Sequence, residues 1–369
     1  MTPLDTLIRE MIVETGPISV ETYVSLAISH PVHGYYASKM PLGESGDFIT
    51  APEISQMFGE LIGLWCVAVW RTIGAPRPVL LVELGPGRGS LMADALRAAR
   101  IAPDFLEGLN LHLVETSEVL AASQRAQLAA SGLDPKWHRT VEALPAGPAI
   151  ILANEFFDCL PVRQFVRGTG GWHERLVGLN SEGHLCFGLA PDPEPGLTAP
   201  GEPGPETGQV LEAGFVAAGL MARLAARIAA QGGVLLVIDY GYDLPARGET
   251  LQAVKRHRFA DPLRDPGEAD LSVHVDFGGL ARAVQGAGAR AHGPVPQGEW
   301  LARLGIHERA ATLRRHADER QRAAIDSALL RLAGNGADPS GTNMARLFKA
   351  LAVTAPGLAP PPGFEMALA

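Results

Sequence analysis

Cysteine is scarce in this chain: Cys66, Cys159 and Cys186 are the three among 369 residues. Their wide spacing and odd number exclude a disulfide framework and a zinc knuckle, and point to a reducing compartment. An excess of positive charge is also missing. With 31 Lys and Arg against 40 Asp and Glu, the formal net charge is -9 and the pI is near 5.7. Such a surface is not built to collect phosphates, so no nucleic-acid partner is expected. The longest apolar run, "LIGLWCVAVW", is about half the length that spans a bilayer, so no membrane insertion is expected. The opening segment "MTPLDTLIREMIVETG" places Leu4, Leu7, Ile8, Met11 and Ile12 on one helical face with acids between them. It lacks the features of a secretory signal or an acid-poor, Arg-rich transit peptide. The expectation is a cytoplasmic protein, and the Ala-, Gly- and Pro-rich composition is of bacterial character.

What is present suits a soluble globular chain of one large or two modest domains: 47% of residues are hydrophobic and 19% charged. Residues 1–75 read as helices plus a long loop. The last helix begins at Pro52 and Glu53, carries Ile54, Phe58, Leu61, Ile62 and Trp65 at helical spacing, and ends at Gly74. From Pro78 the pattern alternates. "VLLVEL", "LHLVET", "AIILANEF" and "GVLLVIDY" are short, nearly continuous apolar runs, with helical stretches such as "SLMADALRAAR" and "SEVLAASQRAQLAAS" between the earlier ones. That pattern predicts a doubly wound α/β sheet over 76–163 and 209–300. Residues 164–208 read as an insertion of short strands followed by a stretch over 191–208 too rich in Pro and Gly for regular structure. Residues 301–369 read as a helical tail.

In "VELGPGRGSL" the order is acid-x-Gly-x-Gly-x-Gly, with Glu83, Gly85, Gly87 and Gly89. A dinucleotide fingerprint needs its third glycine where Ser90 stands, and a P-loop needs a Lys that "GRGS" lacks. A carboxylate ahead of the first glycine also repels a pyrophosphate. It suits a ligand with a positive centre, such as S-adenosyl-L-methionine (AdoMet), which carries a sulfonium and an ammonium. Glu115 ends the second apolar run, where a carboxylate can accept from both ribose hydroxyls or sit at the positive end of a helix dipole. The other runs end in Asn154 with Glu155 and in Asp239. Ligands of such sheets bind beyond the carboxyl ends of the strands, so these groups should converge.

Further polar groups stand in apolar or loop context. "ILANEFFDCLPV" carries Asn154, Glu155 and Asp158, costly to bury unless paired or used. "GESGDFITAPEISQ" places Asp47 in a loop before a capped helix entry, and "HVDF" places His274 and Asp276 on one side if extended. The His-Asp pair suits a general base or a structural hydrogen bond better than a metal, for which no third ligand has matching spacing.

As a set, "GYY", "GDFITAPEISQMFGE", "VELGPGRGSLMADALR", "VETSEVL", "ILANEFFDCLPV", "DYGY", "DPGEADLSVHVDF" and "QGEWLARLGI", in this order, resemble the MidA family of AdoMet-dependent methyltransferases. That family includes the mitochondrial complex I assembly methyltransferase, a protein arginine methyltransferase. The resemblance runs from about Leu4 to about Leu351. It implies a class I methyltransferase fold, a Rossmann-like doubly wound sheet with an N-terminal helical region and a β-rich and helical insertion. It implies that Glu83, Gly85, Gly87, Gly89 and Glu115 line the AdoMet site, with Asn154 near the methionine portion. It makes Glu155, Asp158, Asp47, His274 and Asp276 the catalytic candidates on the acceptor side. The expected reaction is methylation of an arginine side chain of a protein substrate, a complex I subunit being one candidate. The alternatives are a non-catalytic AdoMet-binding assembly factor, a small-molecule methyltransferase and an NAD-dependent oxidoreductase. The hairpin insertion and Pro-rich loop could close over a peptide or form a homodimer contact.

Overall fold

The four apolar runs become the centre of one sheet. The computed structural model describes residues 1–38, 50–197, 206–243, 248–334 and 343–365. The chain divides into two units, Met1–Phe48 with Phe157–Leu220 and Tyr242–Leu280, and Ile49–Phe156 with Met221–Gly241 and Ala281–Ala369.

Among the described residues the second unit carries seven strands: β1 (Val79–Leu84), β2 (Leu109–Val114), β3 (Lys136–His138), β4 (Ala149–Asn154), β5 (Gly233–Tyr242), β6 (Arg290–Pro296) and β7 (Phe348–Thr354). They lie in the order β3-β2-β1-β4-β5-β7-β6. The first five are mutually parallel, and β7 runs antiparallel to both neighbours. Every residue of β1 is buried, as are the first eight of β5. That is why these strands read as unbroken apolar runs and not as alternation. Helices Gln56–Thr72 and Ser90–Ala99 pack together over one face, joining Phe58, Trp65, Leu91 and Leu96 to Leu81, Leu111 and Leu113 in one core. Gly63 makes that contact close: a Cβ there would stand 2.2 Å from the Ala95 carbonyl oxygen.

The first unit is antiparallel. Strands Arg163–Arg167, Trp172–Leu179, Leu185–Pro193 and Val210–Ala213 form one sheet with the short strand Ile18–Ser19, and Gln252–Lys255, Arg258–Ala260 and Asp270–Ser272 form another. Helices Pro3–Thr15 and Val20–Ser29 bury Leu4, Ile8, Ile12 and Tyr23 in a core shared with Val177, Leu251 and Leu271.

Several expectations are corrected. The helix expected from Pro52 to Gly74 is broken at Ser55, which is extended (φ -161°, ψ 138°) and caps the helix Gln56–Thr72 by accepting from the Met57 amide. The tail past residue 301 is not wholly helical, because β7 inserts between β5 and β6. Strand Leu185–Pro193 runs into the stretch expected to be irregular; residues 198–205 of that stretch lie outside the described residues. The boundaries expected at 75/76 and 300/301 are not those of the units. The first helices group with the insertion because Ile18 and Ser19 pair in register with Val177 and Leu176, while residues 281–369 complete the parallel sheet's unit.

Candidate active site

Within the parallel-sheet unit, the carboxyl ends of β1, β2 and β4 do gather polar groups around the glycine turn. Gly85, Gly87 and Gly89 have φ of 59°, 55° and 88°, the left-handed region that glycine enters without strain. Side-chain space is denied at Gly85 as well: a Cβ would lie 2.8 Å from the Phe156 ring. Gly89 starts helix Ser90–Ala99 without a side-chain cap. The Ser90 hydroxyl instead donates to Glu53 Oε1, and Arg88 stands 3.5 Å from the other oxygen of Glu53.

Glu83 is 3% exposed, and its Oε2 is buried without a hydrogen-bond partner. Burial, reinforced by the nearby Glu115 charge, pushes its pKa well above the usual carboxylate range. Asn154 shows the same deficiency at Oδ1, also buried without a partner, while its Nδ2 donates to Glu155 Oε1 over 3.2 Å. Orphaned buried acceptors are rare in folded proteins. Two at the ends of adjacent strands fit the donors of a cationic ligand.

Glu115 is held from two sides. Its Oε1 accepts from the Ser117 amide at 2.7 Å and its Oε2 from Gln124 Nε2 at 3.0 Å. Burial raises its pKa, and these bonds act in the opposite direction. Gln124 also donates to the Gly87 carbonyl at 2.8 Å and accepts from Trp137 Nε1 at 2.9 Å. Sequence reasoning missed Gln124 and Trp137. Gln124 reads as one more polar residue of an amphipathic helix, and only its place nine residues after Glu115 on the following helix signals its use.

Glu155 directly follows β4 with φ 48°, a conformation that costs a non-glycine residue about 1–2 kcal/mol and that clusters at functional sites. Its amide donates to the Ile238 carbonyl, and its Oε1 accepts from the Ala51 amide at 2.9 Å. One carboxylate oxygen of Glu155 thus fixes the start of the short helix Ala51–Ile54. Next to it, the Phe156 amide donates to Asp239 Oδ2 at 3.1 Å, and Asp239 is fully buried.

Asp158, His274 and Asp276 belong to the antiparallel unit. Asp158 is 7% exposed, and Cys159 Sγ donates to its Oδ1 at 3.4 Å. The Tyr36 hydroxyl stands 3.4 Å from that sulfur and 3.3 Å from each oxygen of Asp270. Burial, with Asp270 next, drives the Tyr36 pKa well above its ordinary value. Tyr36, from "GYY", and Asp270 were not singled out in the sequence. Asp276 accepts from the Gly279 amide at 2.8 Å in the first turn of helix Phe277–Gly286. His274 precedes the two-residue strand Val275–Asp276, and its amide donates to Thr250 Oγ1 at 2.9 Å. Burial lowers the His274 pKa, with Glu212 opposing. Asp47 lies outside the described residues. Among the described residues no group of three or more His, Cys, Asp or Glu is placed to hold a metal, and no helix is long and apolar enough to cross a membrane.

A five-stranded parallel core extended by an antiparallel β7, with a glycine turn after β1 and acids near the carboxyl ends of β1 and β2, defines an α/β domain for a nucleoside cofactor. Comparison with known proteins specifies which. A family model of S-adenosyl-L-methionine-dependent methyltransferases matches residues 61–295. The mitochondrial protein arginine methyltransferase NDUFAF7 of Danio rerio is 38% identical over 340 residues, 85% of this chain and 79% of that protein. Its Homo sapiens counterpart is 36% identical over 337 residues, with 85% and 76% covered. A crystal structure from Burkholderia thailandensis with S-adenosyl-homocysteine bound superposes with a TM-score of 0.81 at 27% identity, covering 99% of this chain and 93% of that one. The chain belongs to the MidA family of S-adenosyl-L-methionine-dependent methyltransferases, and its cofactor is AdoMet.

Proposed function

We propose that this protein, a class I methyltransferase with an N-terminal helical region and a β-rich insertion, methylates an arginine side chain of a protein substrate. The observation that carries the cofactor half is the pair of orphaned acceptors, Glu83 Oε2 and Asn154 Oδ1, beside a turn whose three glycines all have positive φ. The acceptor half is supported by relatives at 38% identity that are named protein arginine methyltransferases. A complex I subunit is one candidate substrate, and a homodimer one candidate assembly. The cysteine usage supports a reducing, cytoplasmic setting.

In this reading Glu83 and Asn154 accept from the ammonium of AdoMet, Glu115 accepts from its ribose hydroxyls, and the glycines bring the backbone close. Bound there, AdoMet supplies a methyl group already activated by positively charged sulfur, so the protein's work is alignment and electrostatics. An arginine guanidinium keeps its proton up to a pKa above about 12. It therefore needs carboxylates to hold its fork and to accept a proton when a nitrogen is alkylated. We assign the holding role to Glu155 and Asp158, with His274, Asp276 and Asp47 as further proton-accepting or orienting groups. The test is incubation of the purified protein with methyl-labelled AdoMet and lysate of its host, followed by mass spectrometry of the labelled band. Label on an arginine is expected; label confined to small metabolites overturns the protein-acceptor reading.

A further inference from the structure

We propose that Gln124 is the positioning residue for ribose recognition: its side-chain amide fixes the Glu115 carboxylate and the glycine turn in one register. This rests on the reading of Glu115 as the ribose acceptor.

Gln124 is fully buried, although it lies on helix Glu118–Leu128, nearly half of which is polar or charged. Burying an amide is tolerated only when its hydrogen-bonding groups are used, and here both the nitrogen and the oxygen have partners. The indole N–H of Trp137 can only donate, so Oε1 of Gln124 must face it. That leaves the amide nitrogen facing Gly87 O at 2.8 Å and Glu115 Oε2 at 3.0 Å. The opposite orientation would set an amide oxygen against a carbonyl and a carboxylate and an amide nitrogen against an indole N–H. The amide is thus oriented by chemistry, and through it Trp137 on β3, the turn after β1 and the carboxylate after β2 become one unit. The fit at the turn is close as well, since a Cβ on Gly89 would stand 3.3 Å from Gln124 Cα. Glu115, held by Ser117 on one oxygen and Gln124 on the other, cannot rotate. Of its roughly four lone-pair sites, capacity remains for a vicinal diol in a fixed direction.

The inference separates positioning from bulk stabilisation by a ligand cycle. Calorimetric affinities for S-adenosyl-homocysteine and its 2′-deoxyribose analogue are measured on the wild-type protein, Gln124→Leu and Trp137→Phe. In the wild type, loss of the hydroxyl is expected to weaken binding about tenfold, the worth of a hydrogen bond to a charged group. In Gln124→Leu both ligands bind more weakly and the difference between them shrinks to about twofold or less, because a carboxylate free to turn no longer reads the hydroxyl. Trp137→Phe, which keeps Gln124 but releases its orientation, gives an intermediate ratio. If Gln124→Leu weakens both ligands equally and keeps the wild-type ratio, Gln124 is structural only and the proposal is overturned. Should Gln124→Leu not fold, an unchanged ratio in Trp137→Phe overturns it. No penalty for the deoxy ligand in the wild type removes the Glu115 reading itself, and the proposal with it.

Discussion

Glu60 and Glu83 are equally buried, at 4% and 3% exposure, yet their surroundings push their acidities in opposite directions. Glu60 lies on the flank where helix Gln56–Thr72 meets helices Ser90–Ala99 and Ile306–Arg314. Arg309 donates to both of its oxygens at 2.7 and 3.0 Å, and Arg97 adds a third bond. Burial alone would raise its pKa, but these partners hold it below the usual value. Glu83, at the mouth of the sheet, has an oxygen with no partner and a second carboxylate nearby, and its pKa is raised. The flank is complete in itself; the mouth keeps an acceptor to spare, which the proposed function gives to the cofactor. Burial of a charge therefore marks nothing by itself; a missing partner beside the glycine turn, at the carboxyl ends of the strands, is the feature that sets Glu83 apart.

The sharpest way to break this contrast is at Gly85. Gly85→Val forces a β-branched residue into φ 59° with its Cβ 2.8 Å from Phe156, and is expected to abolish AdoMet binding in calorimetry at a stability cost of about 2–3 kcal/mol. Glu83→Gln comes next. It should reduce AdoMet affinity about tenfold to a hundredfold while leaving Tm unchanged or higher, because it removes an unpaired buried charge. Glu60→Gln should do the reverse, costing about 1–2 kcal/mol in urea unfolding, a value discounted for the partial exposure of both arginines, with AdoMet affinity per folded molecule unchanged. Equal effects of the two variants on binding would dissolve the comparison.

The pH dependence of Tm carries the same contrast with opposite signs. The depressed pKa of Glu60 makes its contribution present above the ordinary glutamate value, about 4.3, and lost as pH falls through its folded value. The raised pKa of Glu83 makes its contribution present below that ordinary value and lost as pH rises through the folded one. Glu60→Gln should flatten the acid limb and Glu83→Gln the limb above it. The smallest effect is expected at His112, a control for the rule about missing partners. Its Nε2 is also buried and unpartnered, but it sits within β2, and its Nδ1 meets His138 Nε2 at 2.9 Å. Burial, with His138, Arg227 and Lys136, lowers its pKa to about 4. Its stabilising contribution is present above about 6.5 and is lost as pH falls through about 4. His112→Phe should remove this slope and leave AdoMet affinity untouched; a loss of affinity would extend the site along β2.

Much of this was legible in the sequence where one interaction dominates. Strands buried on both faces announce themselves as apolar runs, so "VLLVEL" and "GVLLVIDY" were placed within two residues of β1 and β5. The glycines and the acids around them follow from backbone geometry and charge. What stayed hidden depends on partners distant in the chain. "FKALAVT" is strand only because β5 and β6 flank it, and nothing local separates it from the helices before it. Ser55 breaks a helix whose apolar spacing continues straight through it. Gln124, Tyr36 and Asp270 are ordinary polar residues until the fold brings their partners to them.

The place of β7 also bears on how the chain holds together. Among the described residues it is the last strand along the chain yet not the last in the sheet, standing between β5 and β6. Without residues 348–354, the stretch of β5 from Val234 to Tyr240 lacks its antiparallel partner and β6 has no sheet neighbour. Such an edge is a template for any passing strand. Removing residues 348–354 is therefore expected to leave an aggregating chain and not a smaller folded domain, a difference that light scattering reads directly.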